Sequence, residues 1–393
     1  MRDFGRTGGG QQKSMTGRER VAAALAFREP DRVPLDIGGT SVTGIALQAL
    51  LRLLEQRGLD STISIPDHIQ QIGLPSAAVL RALGVDTIRI GPPRLRDVDA
   101  PDRASGDLHQ LTDPWSVNWQ RKHGEHYYSQ VSAPLQAHDE LATSLHGYRP
   151  PAPPDRAVVE SVVGAAPAEA SLFPLLDRDT AGIFEMSCRL RGLETFCTDL
   201  LLDPAASERL ADIILEYKRA YWDQLLDVFG QEQVVVAEAD DFGSDSSLLI
   251  SPELIRTIYL PRWRELFDFI KQKNRAAKIF FHSCGAVRPI IADLIACGVD
   301  ILNPVQYTAN GMQLDRLKRD FGSDLVFWGG GIDTKQILPF GTPGEVRDEV
   351  RRVIDIMAPG GGFVFATVHN IQADVPVANL EALLQALEDF GGY

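Results

Sequence analysis

Short apolar, β-branched runs alternate with amphipathic helical patterns along almost the whole chain, and this alternation most restricts the fold. Eight runs stand out: "RVPLDIG" (32–38), "DTIRIG" (86–91), "AVVESVV" (157–163), "QVVVAEAD" (233–240), "KIFFHSC" (278–284), "VDILNP" (299–304), "LVFWGG" (325–330) and "GFVFATV" (362–368). Helical patterns flank most of them, such as "MTGRERVAAALAF" before the first and "TPGEVRDEVRRVIDIMA" (342–358) before the last. The latter carries Thr342 as N-cap and Pro343 at the first helical position, and runs out in the "PGGG" of 359–362. Strand and helix in strict turn predict a parallel sheet wrapped by helices. Eight units predict a closed (β/α)8 TIM barrel rather than an open doubly wound sheet, and no GxGxxG follows the first run.

One stretch breaks the alternation. Within residues 95–150, "HQLTDPWSVNWQRKHGEHYYSQVSAPL" alternates Trp, Val and Tyr around a His-Gly turn, which predicts a β-hairpin inserted after the second strand. Insertions there shape the mouth of a barrel. The proline-rich "YRPPAPPDR" (148–156) leads back to it. The remainder, residues 15–393, reads as one domain, preceded by a glycine-rich polar leader, 1–14, expected to be disordered.

The charge balance, 39 basic against 53 acidic residues for a net −14, argues against nucleic acid as a partner, because phosphate binding rests on clustered Lys and Arg. No stretch approaches the ~20 apolar residues that span a bilayer, and no signal peptide opens the chain, so a cytoplasmic protein without membrane contact is expected. Four scattered cysteines, Cys188, Cys197, Cys284 and Cys297, are too few for a disulfide scaffold.

In such a barrel the chemistry sits at the C-terminal ends of the strands. The polar residues fall there: Asp36 in the first strand's end, Glu238, Asp240 and Asp241 at the fourth, His282 and Cys284 at the fifth, Asn303 and Gln306 after the sixth, Asp333 after the seventh, and His369 and Asn370 after the eighth. Residues two apart on a strand share a side, so His282 and Cys284 both face the mouth while Ser283 points away. Imidazole nitrogen and thiolate sulfur suit zinc, and His369 supplies a third ligand, leaving a position open as in catalytic sites. The "EADD" acids crowd one strand end, where repulsion raises at least one pKa unless a cation is near; a turn cap and solvated carboxylates are the plainer alternative.

The other cysteines read as structural. Cys297 ends a helix running roughly 16 Å down the outside of the barrel. Cys188 and Cys197 lie nine residues apart on a helix expected over 182–201, on opposite sides. His123, His126, His138 and His146 belong to the insertion, as surface or lid residues; His68 and His109 have no evident place.

The stretches "MTGRERVAAALAFREPDRVPLD", "RLRGLETFCTDLLLDP", "EADDFGSDSSLLISPELIRTIYLPRWRELFDFIK", "HSCGAVRPIIADLIACGVDILNPVQ" and "GGGFVFATVHNIQADVPVANLEALLQAL" resemble the uroporphyrinogen decarboxylase superfamily, in the branch of the methylcobamide:coenzyme M methyltransferases and other corrinoid-linked methyltransferases. The resemblance covers nearly the whole chain from Met15 and implies the same barrel. Two departures stand out. The decarboxylases hold carboxylate groups with an N-terminal "RQAGR", where this chain has "LDIGGTSVTGI" and no arginine. The methyltransferases complete His-x-Cys with a later cysteine, where this chain has His369 in "ATVHNIQ", leaving a bound metal more electrophilic.

The resemblance thus implies zinc-dependent methyl transfer between a corrinoid and a small-molecule thiol or oxygen group. His282, Cys284 and His369 would hold Zn2+; Glu238, Asp240 or Asp241 would add a fourth ligand or a proton acceptor. Asp36, Asn303, Gln306, Asp333 and Asn370 would bind substrate. The corrinoid motif Asp-x-His-x-x-Gly is absent from the sequence, so methylcobalamin would arrive on a corrinoid protein or as a free substrate. A metal-free decarboxylase or lyase is the second expectation, and a ligand-binding subunit without catalysis the third.

Overall fold

The computed structural model describes residues 14–91, 107–136, 140–165 and 170–393. The expected leader lies almost wholly outside the described residues, as do the start of the insertion and His138. The first described helix is Gly17–Leu25, where Thr16 and Glu19 form a reciprocal capping box.

Seven parallel strands form one sheet in chain order: Thr87–Ile90, Phe173–Leu176, Val234–Ala239, Ala277–His282, Ile301–Asn303, Val326–Trp328 and Phe363–Val364. Residues of the first run then bond to both outer strands' neighbourhoods. The amide of Asp36 donates to Phe365 O and that of Phe365 to Pro34 O, each at 2.8 Å, while the amide of Asp86 donates to Leu35 O at 2.8 Å. The arrangement is barrel-like, with the helices packed outside. Arg32 and Leu35 make only isolated bridges, so the expected first strand is shorter than its apolar pattern.

The third run is corrected. "AVVESVV" lies in a helix, Arg156–Ala165, with Val159 fully buried, and the third strand is Phe173–Leu176. Paired valines three and four apart suit one helical face as well as a strand, so a run this short does not decide between them. The strand itself, "FPLL", is buried at all four positions but contains a proline, which hides it from a search for β-branched runs.

Between the Thr87–Ile90 and Phe173–Leu176 strands, where a hairpin is expected, lies a three-stranded antiparallel sheet, Leu108–Thr112, Asn118–Lys122 and Ser129–Ser132. Asp113 organises its first turn, accepting from the amides of Trp115 and Val117 and from Trp119 Nε1. A second small sheet, Ile45–Ala46, Ile63–Asp67 and Ile72–Pro75, has no counterpart in the sequence expectations and carries His68 in its tight turn.

The helix expected over 182–201 is broken at Gly192 (φ +93°) into Ile183–Arg191 and Leu193–Leu202. The break overturns the opposite-side placement of Cys188 and Cys197, whose thiols act on each other: Cys188 pulls Cys197 down to about 7, and Cys197, with burial, pushes Cys188 well up. Cys297 is buried as expected, its thiol directed at Leu260 O.

Strand periodicity sorts the core into two layers. Val235, Ala237, Phe280, Ile301, Trp328 and Val364 pack together inside the sheet, with Val21, Ala24 and Leu25 of the first helix among them. Val234, Val236, Ile279, Phe281, Leu302 and Phe327 join the outer layer against the helices. Glu238 continues the outward series. Its carboxylate accepts from Lys218 Nζ and Trp222 Nε1, both at 2.7 Å, and Lys218 and Glu238 are each only 1% exposed.

Removing one member of such a pair strands the other's charge. Lys218→Met should lower unfolding free energy by about 3–5 kcal/mol, and Lys218→Met/Glu238→Gln should recover more than half of the loss, as read by urea denaturation. Equal losses in both variants would refute the pairing as the cause.

Candidate metal centre

The inward series of the Ala277–His282 strand runs through Phe280 to His282 and continues to Cys284, as the period of two requires. Cys284 Sγ lies 3.2 Å from His282 Nε2, and the rings of His282 and His369 are 5.4 Å apart at 73°. One ligand atom from each of His282, Cys284 and His369 falls within 4.8 Å of the other two. A tetrahedral zinc with ordinary bond lengths separates sulfur from nitrogen by about 3.5 Å. The three donors therefore converge on a volume that one ion fits.

The surroundings favour the ligating forms. His282 Nδ1 is 2.5 Å from Asn303 Oδ1, and Asn303 Nδ2 donates to Trp328 O at 2.7 Å, which turns the amide oxygen toward the ring. His282 thus donates through Nδ1–H and keeps the Nε2 lone pair facing Cys284. Burial, and then the charge of Arg178, lowers His282 to about 4; burial, and then His282, lowers His369 to about 4. Both imidazoles are neutral at neutral pH. Burial, and then Asp241, raises the Cys284 thiol well above its usual value, so the thiolate needs a cation.

The three acids of "EADD" separate by parity. Asp241 has the inward parity of Ala237 and Ala239; its Oδ1 accepts from the Cys284 amide at 2.9 Å and lies 3.7 Å from His282 Nε2. Burial, followed by Glu185, raises its pKa. Asp240 shares the outward parity of Glu238. It accepts from the amides of Phe184 and Glu185 and from Trp263 Nε1, so it caps the Ile183–Arg191 helix, and burial lifts it to about 7 against those donors. Glu238, on Lys218, does not reach the cluster either. The expected catalytic role of Asp240 and Glu238 thus meets two carboxylates directed into the helix layer.

The expected substrate-binding residues are likewise held by the fold. Asp36 is 1% exposed and accepts from the Gly39 amide, Thr87 Oγ1 and Trp328 Nε1. Gln306 accepts from the Gly285 amide and donates to Asp245, while Asp333 caps a turn through the amides of Lys335 and Gln336. Asn370 accepts from the Gly44 amide and donates to Ser41 O and Gln70 Oε1. These side chains tie the loops together around the cluster.

A family model for uroporphyrinogen decarboxylase (URO-D) matches residues 180–390, more than half of the chain and the part that carries all three candidate ligands. The chain belongs to the URO-D family. Among curated proteins none matches the sequence. Among solved structures, a methyltransferase from Methanosarcina mazei has the same fold, with a TM-score of 0.65 at 18% identity, covering 96% of this chain and 99% of that one. No helix among the described residues is long and apolar enough to cross a membrane.

Two residues of this URO-D chain near the cluster escape sequence reasoning. Arg178 follows the unrecognised Phe173–Leu176 strand, and Glu185 sits in the first turn of the helix after it, paired with Arg189 at 2.6 Å. Both act electrostatically on His282, His369 and Asp241. Recognising "FPLL" as a strand would have placed both at a strand end.

Gly182 lets the Asp240 cap form, since a Cβ there would lie 2.2 Å from both Ala239 O and Asp240 Oδ1. Gly182→Ala should therefore cost about 2–3 kcal/mol in chemical denaturation. Gly164→Ala, in a helix with open space around it, should stabilise by up to about 1 kcal/mol. A neutral Gly182→Ala would show that the cap yields without cost.

Proposed function

We propose that the chain is a zinc-dependent methyltransferase that moves a methyl group between a corrinoid carrier and a small-molecule thiol or oxygen group. The observation that carries the proposal is the convergence of His282, Cys284 and His369, drawn from the end of the Ala277–His282 strand and from the loop after the last. Membership of the URO-D family and the fold shared with a methyltransferase support it. Bonds from Pro34, Leu35 and Asp36 to both ends of the sheet support reading the architecture as a closed (β/α)8 barrel, the scaffold that would bring those strand ends to one mouth.

Zinc held by these residues would lower the pKa of a thiol or hydroxyl so that its anion exists at neutral pH. Asn303 holds His282 in the ligating tautomer, and Gln306 braces the turn after Cys284 through the Gly285 amide. Asp241 would take the acceptor's proton, its pKa raised by burial. Asp36, Asn303, Gln306, Asp333 and Asn370 act on substrate through the loops that they order. The methylcobalamin comes from a corrinoid protein or from solution, since the sequence has no corrinoid motif of its own.

Elemental analysis of the purified protein should find about one zinc per chain, lost in Cys284→Ala and in His369→Ala, and the wild-type protein should demethylate methylcobalamin in a spectrally visible reaction given its acceptor. A zinc-free chain whose activity ignores chelators would replace this proposal with metal-free decarboxylation, the chemistry in the family's name.

The proton count gives a sharper check. Between pH 6 and 8 both imidazoles, at about 4, are already neutral while the thiol is still protonated, so binding zinc displaces one proton. Zinc affinity should rise about tenfold per pH unit, measured by competition with a chromogenic chelator. A slope near zero would mean that Cys284 is not a ligand.

A further inference from the structure

A cavity lies between the three-stranded sheet at 108–132, the turn that carries His68, and residues 178–181 after the Phe173–Leu176 strand; Arg178, which lines it, also acts electrostatically on His282 and His369. Its walls are mixed, with an apolar side formed by Ile69, Leu111, Trp115, Met186 and Tyr217; the Trp115 and Tyr217 rings meet edge to face at 4.8 Å. Three carboxylates also line it, and each is already engaged. Asp67 accepts from the Gln70 amide and Nε2, Asp113 from two amides and Trp119, and Asp179 from the Tyr217 hydroxyl.

Arg178 is different. Its side chain is 11% exposed and Nη1 is buried without a hydrogen-bond partner among the described residues. Asp177, which precedes it, has Oδ1 3.9 Å from Nη1, an ion-pair contact too long for a hydrogen bond, while its Oδ2 is taken by Arg89 at 2.6 Å and by the Ser41 amide at 2.9 Å. A buried guanidinium with a free donor is costly, and an oxyanion offering two oxygens removes that cost. The cavity's unmet demand is for an acceptor with negative charge, beside an aromatic wall.

We infer that this cavity binds an aromatic carboxylic acid as the small-molecule partner of methyl transfer, with its carboxylate on Arg178 and its ring against Trp115 and Tyr217. The assignment names the substrate class for the methyltransferase proposed above and rests on that proposal. It also answers the missing "RQAGR": the anion is held from the third strand's end instead of the first.

The test uses the full chain stripped of metal with a chelator, so that binding is read independently of catalysis. Calorimetric titration with 4-methoxybenzoate and with 4-methoxybenzamide should show the acid bound at least about tenfold more tightly. Arg178→Gln should abolish that preference while leaving the amide's affinity within about twofold, and Arg178→Lys should retain part of it. Should Arg178→Gln not fold, the wild-type ratio and loss of both ligands in Met186→Trp, which fills the cavity, decide the matter. Equal affinities in the wild type, a preference that survives Arg178→Gln, or no binding of either compound at millimolar concentration would overturn the inference. Zinc content separates the two claims: acid binding by a chain that never takes up zinc removes the methyltransferase proposal alone, and a zinc-loaded chain indifferent to the acid removes this one alone.

Discussion

Backbone hydrogen bonds from Pro34, Leu35 and Asp36 to Phe365 on one side and to Asp86 on the other are the constraint on which the rest of the structure depends. They join the two ends of a seven-stranded sheet whose strands otherwise run in chain order. Asp36 reinforces the join with its side chain, which accepts from Thr87 near one edge and from Trp328 across the interior. Those two donors come from different strands of the sheet and a third, the Gly39 amide, from the loop that follows, so the buried carboxylate is satisfied although burial still raises its pKa. Without that join, nothing in the local geometry of "HSC" would hold His369 near it.

Polar side chains at the strand ends divide into those that hold the cluster and those that hold the holders. Asn303 shows the second kind clearly: one end of its amide is fixed on Trp328 O and the other meets His282 Nδ1. Rotation of the amide would place two donors face to face, so the carbonyl of one strand dictates the tautomer on its neighbour. Gln306 and Asn370 do the same for the turn after Cys284 and for the loops around Gly44. The result is a cluster with neutral nitrogens and a protonated thiol, kept so by burial more than by any single neighbour.

The acids after Val236 show how far a linear reading reaches. Glu238, Asp240 and Asp241 look equivalent as letters, yet parity counted from the apolar residues before them sends the first two into the helix layer and the third to the cluster. That count was available from the sequence. The number of charges at one strand end was not itself informative, because a long helix contributes Lys218 and Trp222 to neutralise one of them. Which acid has a buried partner depends on chain segments far from it in sequence.

What the sequence by itself determined is whatever depends on neighbours along the chain: the strand–helix alternation, the N-cap at Thr342 with Pro343 after it, and the shared face of His282 and Cys284, since side-chain period and cap chemistry are local properties. Only the tertiary structure decided that "AVVESVV" is a helix and "FPLL" a strand, because both patterns satisfy local rules and burial against neighbours chooses between them. It alone set the 5.4 Å between the rings of His282 and His369, and it alone brought the charge of Arg178 to bear on them. Distances across a sheet follow from strand pairing and closure, which are sums over the whole chain, and no short window of sequence contains them.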